Sequence, residues 1–141
     1  MDAKYDCLKL DNQLCFPLYA ASRKIVKTYT PFLKPLGLTY TQYITLMVMW
    51  EEKEVKIKDL GEKLFLDTGT LTPLLKKMEE AGLITRKRSK EDERVVNVTI
   101  TDKGMALREK CVDIPKQVGG CVKMDKKEAV ALHKALDAIL K

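Results

Sequence analysis

At 141 residues the chain is long enough to bury a hydrophobic core and reads as a single domain. Hydrophobic residues make up 45% and charged residues 33%, a balance that excludes disordered, fibrous and membrane-embedded classes. The formal charge of +6 points to an acidic partner, and its distribution along the chain indicates which one.

The first residues, Met1-Asp2-Ala3-Lys4-Tyr5-Asp6, carry no apolar segment of the signal-peptide kind. No run approaches the roughly 18 apolar residues of a membrane span. The expectation is a cytoplasmic protein with reduced thiols and no membrane partner. Its cysteines, Cys7, Cys15, Cys111 and Cys121, show no CxxC spacing and are accompanied by one histidine, so neither a metal nor a cofactor is expected.

A first long helix is predicted from about Asn12 to Phe32. Its apolar stripe includes Leu14, Cys15, Leu18, Tyr19, Ile25, Val26 and Tyr29 at three-four spacing, and Pro31 and Pro35-Leu36-Gly37 are read as its end. Thr39 then caps a helix from Tyr40 to about Glu52, apolar on most of its surface and therefore central. Val55 to Ile57 is read as a short strand. Ile57 to Leu64 follows as a helix, and Phe65-Leu66-Asp67 turns the chain into another. That second helix is capped by Thr68, runs to about Glu80 and is stopped by Ala81-Gly82. Two β-rich runs, Leu83 to Arg88 and Val95 to Ile100, flank the polar turn Ser89 to Arg94. Thr101 or Asp102 caps a further helix with the stripe Met105, Leu107, Cys111, Ile114, Val118 and Cys121, kinked at Pro115. A last helix, Asp125 to Leu140, has Leu132, His133, Leu136 and Ile139 on one apolar face.

Helix, short turn, helix, then charged hairpin is the order of a winged helix-turn-helix. The fold class is mainly α with a small β-hairpin wing, residues 57–101 forming the winged unit. Between Thr72 and Lys90 six basic residues (Lys76, Lys77, Arg86, Lys87, Arg88, Lys90) face only Glu79 and Glu80. A cluster of that kind beside such a motif suits release of counterions from DNA phosphates. N-terminal residues of the second helix reach base edges in this arrangement: Thr68, Gly69, Thr70, Thr72 and Pro73. Lys76 and Lys77 are spaced for phosphates, Arg86 and Arg88 lie along the hairpin, and Lys90 and Arg94 at its tip suit the flanking groove or backbone. Asp92 repels phosphate and is read as holding Arg94. Helices over 8–34 and 102–141 carry more apolar face than one small unit needs. They are read as a homodimer interface, which matches a pseudo-palindromic operator in double-stranded DNA.

These residues resemble the MarR family of winged-helix repressors over nearly the whole chain. The match runs through Asp59-Leu60-Gly61, Thr70-Leu71-Thr72-Pro73-Leu74-Leu75, Gly82-Leu83-Ile84, Glu91-Asp92-Glu93-Arg94 and Val98 to Gly104. Within the family the chain is most similar to the organic-hydroperoxide-sensing repressors, the OhrR group. That likeness rests on Leu10 to Phe16, Leu18-Tyr19-Ala20, Tyr29, Tyr40 and Leu66 to Pro73. The resemblance implies that Cys15 is a peroxide-reactive thiol. It implies hydrogen bonds to that thiol from Tyr29 and Tyr40 across the dimer, with Tyr19 nearby. It further implies that oxidation releases DNA, through a mixed disulfide with a small thiol or through a second cysteine, for which Cys121 lies in about the right region. Pro17, two residues beyond Cys15, departs from the pattern, so the helix is expected to begin or bend near the thiol.

The residues alone give partial support to that chemistry. A thiolate is the reactive form of cysteine, hydrogen-bond donors favour it, and peroxide converts it to a sulfenic acid that another thiol traps. Cys7 is read as incidental and Cys111 as core. Three other readings remain open. They are a MarR-type regulator released by a small aromatic or phenolic ligand with Cys15 structural, a thiol peroxidase, and a constitutive architectural DNA binder. The enzyme reading lacks a thioredoxin-like pattern and leaves the basic hairpin unexplained.

Overall fold

The computed structural model describes residues 3–141; Met1 and Asp2, the start of the segment read as lacking a leader, lie outside them. Two short 3-10 turns, Ala3–Leu8 and Leu10–Asn12, form an N-terminal arm whose side chains are nearly all exposed. Helix α1, Cys15–Leu33, follows. Pro17 sits in its first turn, where the missing N–H would have no intrahelical partner, so the helix starts at the thiol rather than bending there. Pro31 does not end it as expected. The helix continues through it to Leu33, because Pro31 and Lys27, whose carbonyl loses its partner, are both exposed to water. The stop is the other expected breaker, Pro35-Leu36-Gly37, which forms the 3-10 turn Lys34–Leu36 followed by Gly37 at φ 71°.

Helix α2, Tyr40–Glu52, begins on a capping box in which the Thr39 hydroxyl accepts from the Gln42 amide and the Gln42 side chain accepts in return from the Thr39 N–H. It supplies Tyr43, Leu46 and Met49 to the centre of the core. Strand β1, Glu54–Lys56, leads into α3, Ile57–Leu64, and α4, Thr68–Glu80. Strands β2, Ile84–Arg88, and β3, Val96–Ile100, complete an antiparallel sheet of order β1-β3-β2, with Val98 opposite both Val55 and Arg86. The amphipathic pattern of α3 and α4 turns Leu60, Leu71, Leu75 and Met78 inward onto α2 and the sheet residues Ile84 and Val98.

Thr101, not Asp102, caps α5, Asp102–Cys111. Its hydroxyl donates to the Gly82 carbonyl at 2.6 Å and accepts from the Gly104 N–H at 3.1 Å. The Trp50 indole reaches over from α2 to donate to the Gly104 carbonyl at 2.9 Å, locking α5 against the core. A Cβ on Gly104 would collide with the Leu83 carbonyl and the Ile100 side chain, so only glycine fits that crossing. Pro115 marks a complete break: α5 ends at Cys111 and a separate α6, Ile114–Cys121, starts with Pro115 in its first turn. Gly119 and Gly120 stay inside α6, which packs along α1. Helix α7, Lys126–Leu140, opens on a capping box between Asp125 and Glu128.

The two terminal helices have an unusual surface. Leu14, Phe16, Leu18, Tyr19, Ile25 and Val26 on or just before α1 are exposed, as are Val130, Leu132, Ile139 and Leu140 on α7, where no residue is buried. His133, also on α7, is exposed in the single chain, with its Nδ1 3.2 Å from Asp137 Oδ2 one turn on. Among the described residues no helix is long and apolar enough to cross a membrane.

Candidate nucleic-acid interface and thiol site

Helix α4 divides cleanly into an inward and an outward face. Leu71, Leu75 and Met78 are buried, while Thr68, Gly69, Thr70, Thr72, Pro73, Lys76 and Lys77 are all exposed. Its cap differs from the expectation. Asp67 is the N-cap, with Oδ1 accepting from the Thr70 N–H at 2.8 Å, and Thr68 is the first helical residue. Aspartate outranks threonine as a cap, so the neighbouring acid wins and the Thr68 hydroxyl is released from that duty. The bonds from Thr70 hold the Asp67 carboxyl below its usual range.

The hairpin tip is built around one carboxylate. Asp92 Oδ1 accepts from the Arg94 backbone N–H at 3.0 Å and from Nε at 3.2 Å, and these bonds hold the Asp92 carboxyl low. The Arg94 side chain, 91% exposed, is thereby aimed outward rather than left to wander. Lys87 and Lys90 are exposed or half-exposed beside it. Two other arginines have internal work. Arg88 donates from Nη1 to the Glu93 carbonyl at 2.9 Å, bracing the turn. Arg86 donates its backbone N–H to Glu79 Oε2 at 2.8 Å and its guanidinium to Oε1 at 3.2 Å, tying the end of α4 to β2. Those bonds, the backbone one foremost, hold Glu79 below its usual range. The Arg86 side chain is only 24% exposed and its Nε is buried without an acceptor. As a strut inside the unit, Arg86 differs from the freely exposed cation that the charge run suggested.

Between α3, α4 and the wing lies an open cleft of about 1350 Å³, with Leu71 and Val96 in its floor and Arg88 and Arg94 at its rim. Glu79, Asp67 and the turn residue Phe65, also on its wall, are functional candidates that the sequence reading did not single out. Asp67 had a visible signal, an acid three residues before Thr70. The Glu79–Arg86 tie had none, because it bridges a helix end and a strand start across a reversal of the chain.

The thiol region is distributed along the terminal helices. Cys15 is the first residue of α1 and is exposed. Tyr19, one turn on, is 59% exposed, with the Arg23 guanidinium 5.4 Å from its ring centre. Tyr29 and Tyr40 are half-buried and packed against each other, centroids 4.8 Å apart and planes tilted by 56°, with Tyr43 5.6 Å from Tyr29. Burial, and secondarily Tyr29, pushes the Tyr40 phenol up; the same causes push Tyr43 to about 12. Both phenols therefore keep their protons and remain donors at neutral pH. Cys15 and Tyr29 are not brought together within one chain. Fourteen residues of a single helix separate them, about 21 Å at 1.5 Å per residue. Cys121, at the end of α6, is exposed and donates to the Gln117 carbonyl at 3.4 Å. Cys111 is buried, and that burial pushes its thiol up, away from reactivity. Cys7, in the arm, is exposed.

Known proteins resemble the chain along its length. Residues 27–111 match the family described as transcriptional regulator SarA/Rot. The organic hydroperoxide resistance transcriptional regulator of Bacillus subtilis (strain 168) is 50% identical over 140 residues, covering 99% of this chain and 95% of that one. Among solved structures, reduced AbfR bound to DNA, a regulator of Staphylococcus epidermidis, superposes with a TM-score of 0.75 at 34% identity, over 96% of this chain and 97% of the other. The disulfide-formed state of AbfR gives a TM-score of 0.67 at 33% identity, over 98% and 97% of the two chains.

Proposed function

Because this chain belongs to the MarR family of winged-helix transcriptional regulators and is 50% identical to an organic hydroperoxide resistance regulator, we propose that it is a homodimeric, DNA-binding repressor that releases its operator when Cys15 is oxidised. The DNA-binding part of this reading draws on the exposed outer face of α4, the braced Arg94 and the DNA-bound state of its 34%-identical structural relative. The redox part is the finer claim.

One observation carries that claim. Cys15 opens the helix whose apolar face is uncovered, and the tyrosine pair suited to donate to it lies far away, Tyr29 toward the other end of that helix and Tyr40 at the start of α2. A second copy packing its α1 and α7 against these faces in two-fold fashion brings one protomer's Cys15 toward its partner's tyrosines. The thiolate attacks one oxygen of the hydroperoxide. The O–O bond breaks, a Cys15 sulfenic acid forms, and the alcohol leaves after taking up a proton. A second thiol, that of Cys121 or of a small molecule, condenses with the sulfenic acid and expels water. Sulfur held between interlocked helices then gains an oxygen or a bulky substituent, and the spacing of the two α4 helices shifts. A few kcal/mol of preference between two dimer arrangements suffices for this output.

The test is operator release by cumene hydroperoxide, measured on the wild type and Cys15→Ser. Wild type should lose its DNA and Cys15→Ser should keep it; equal release would sink thiol sensing. Mass spectrometry of the oxidised protein assigns the trapping thiol. A second reading, release by a small aromatic acid with Cys15 structural, is favoured by the cleft beside Arg86, whose buried Nε–H has no acceptor. A salicylate-like compound that frees DNA equally from wild type and Cys15→Ser would select it.

A further inference from the structure

One large hydrophobic side chain in the winged unit is left uncovered by the protein itself. Phe65 is 64% exposed, and it is the only exposed large hydrophobic among residues 57–101; most of the others lie on α1, α7 and the N-terminal arm. A second copy on the terminal helices accounts for those faces and leaves Phe65 unexplained.

Its backbone sharpens the question. Phe65 caps the C-terminus of α3 at φ 54°, ψ 39°, the left-handed region, where a side chain crowds its own carbonyl. Glycine or asparagine fills that position at lower cost. A bulky residue there, with most of its surface in solvent, returns little stability for the strain it carries. Backbone strain of this kind gathers at functional positions.

The surroundings point to the occupant. Phe65 lines the cleft between α4 and the wing, together with Thr68 and Thr72 on one side and Arg88 and Arg94 on the other, and Lys56 and Lys58 at the start of α3. Six basic residues in the lining outnumber four carboxylates, Asp67 and Glu79 held by internal hydrogen bonds and Asp59 and Glu62 on the α3 wall. An apolar ring set among exposed cations and threonines matches a nucleic acid strand. Sugar faces and base methyls of such a strand are apolar, while its phosphates are anionic.

We propose that Phe65 is a DNA-contacting residue whose exposed ring packs against an apolar part of the bound duplex, a deoxyribose face or a thymine methyl, in the cleft between α4 and the wing. This rests on the DNA-binding reading above. The contact adds affinity without adding charge, and it explains why an aromatic residue is kept where glycine would be easier.

The test uses full-length protein and a duplex selected from a random-sequence pool by the wild type. Phe65→Ala and Phe65→Gly should each weaken binding about 10-fold. The slope of log affinity against log salt should stay unchanged, because no phosphate contact is lost. Thermal midpoints should separate the two variants. Phe65→Gly relieves the left-handed strain and should melt above Phe65→Ala, so the affinity loss cannot be ascribed to unfolding. Replacing thymines by uracil distinguishes the two apolar sources. A position where uracil removes the difference between wild type and Phe65→Ala marks a methyl contact; the absence of such a position marks deoxyribose. Wild-type affinity in either variant overturns the proposal. So does a change in sedimentation, which would assign the ring to a second copy, or loss of effector response alone, which would assign it to a small ligand. Failure of the wild type to select any duplex would instead defeat the DNA-binding reading itself.

Discussion

The winged unit and the terminal helices solve opposite problems with the same kind of amphipathic helix. In the winged unit α3, α4 and the sheet turn their apolar residues inward, where Leu60, Leu71, Leu75, Met78, Ile84 and Val98 are essentially inaccessible. Its polar links are made within the chain: Asp67 caps α4, Glu79 ties α4 to β2, and Asp92 holds Arg94. On α7 the apolar residues face outward and none is buried. One region is complete in a single chain and free to carry an outer face for DNA. The other leaves its apolar faces and the Cys15 thiol uncovered, and the proposed reading completes both with a second copy.

The largest expected effect comes from breaking that second region. Leu132 and Ile139 are seven residues apart on α7, hence on one face, and both are exposed. Leu132→Asp with Ile139→Asp should give a monomer by sedimentation. It should weaken operator binding at least about 100-fold, because joining two half-site contacts raises apparent affinity by that order. The winged unit should keep its far-UV circular dichroism. A variant that stays dimeric and binds normally would show that these faces are not the interface.

Next is a break in the closed core. Gly104 lies where β3, α5 and the Trp50 indole meet, and an added methyl has no room against the Leu83 carbonyl. Gly104→Ala should cost about 3 kcal/mol, seen as a lowered urea midpoint at unchanged m-value. Near-wild-type stability would mean that the crossing relaxes easily and the core is looser than its burial implies.

These contrasts also show how much was legible before the structure. Bounds of α2, α3 and the end of α4 follow from caps, spacing and Gly82, which takes the positive φ of 78° that a helix stop requires. Strand positions differ by one residue from expectation. Local rules failed where two neighbours competed or where tertiary context decided. Asp67 displaced Thr68 as cap, and α1 ran one residue past Phe32 before the turn at Lys34–Leu36 stopped it. The site was legible as a set of residue types but not as an assembly. The stripe already set Cys15 and Tyr29 at opposite ends of one helix; no periodicity reveals that Tyr40, from the next helix, packs against Tyr29.

A smaller effect separates the regions by acid. Asp67, Glu79 and Asp92 all lie in the winged unit, and each carboxyl is held below its ordinary value, first by a backbone N–H. A folded-state pKa below the unfolded one contributes stability above the unfolded value, 4.5 for Glu79, and loses it as pH falls toward the folded value. Thermal stability should therefore decline as pH drops below about 4.5. Glu79→Gln should be less stable at neutral pH and show a shallower decline. An identical acid profile would mean the Glu79–Arg86 tie contributes nothing beyond its geometry.

The smallest effect turns on Asp67, where the two duties of the winged unit conflict. Its carboxylate caps α4 and suits the positive end of the helix, yet it stands at the cleft that the DNA reading assigns to phosphates. An Asp67→Asn variant keeps the cap, since the side-chain amide oxygen still accepts from Thr70, and it removes the charge. That variant should melt within a few degrees of wild type and bind DNA a few-fold more tightly at low salt, the gain fading as salt screens it. Asp67→Ala removes cap and charge together, so its lower melting point should come with weaker binding as the first turn of α4 frays. If both variants weaken binding, charge repulsion at this position is negligible.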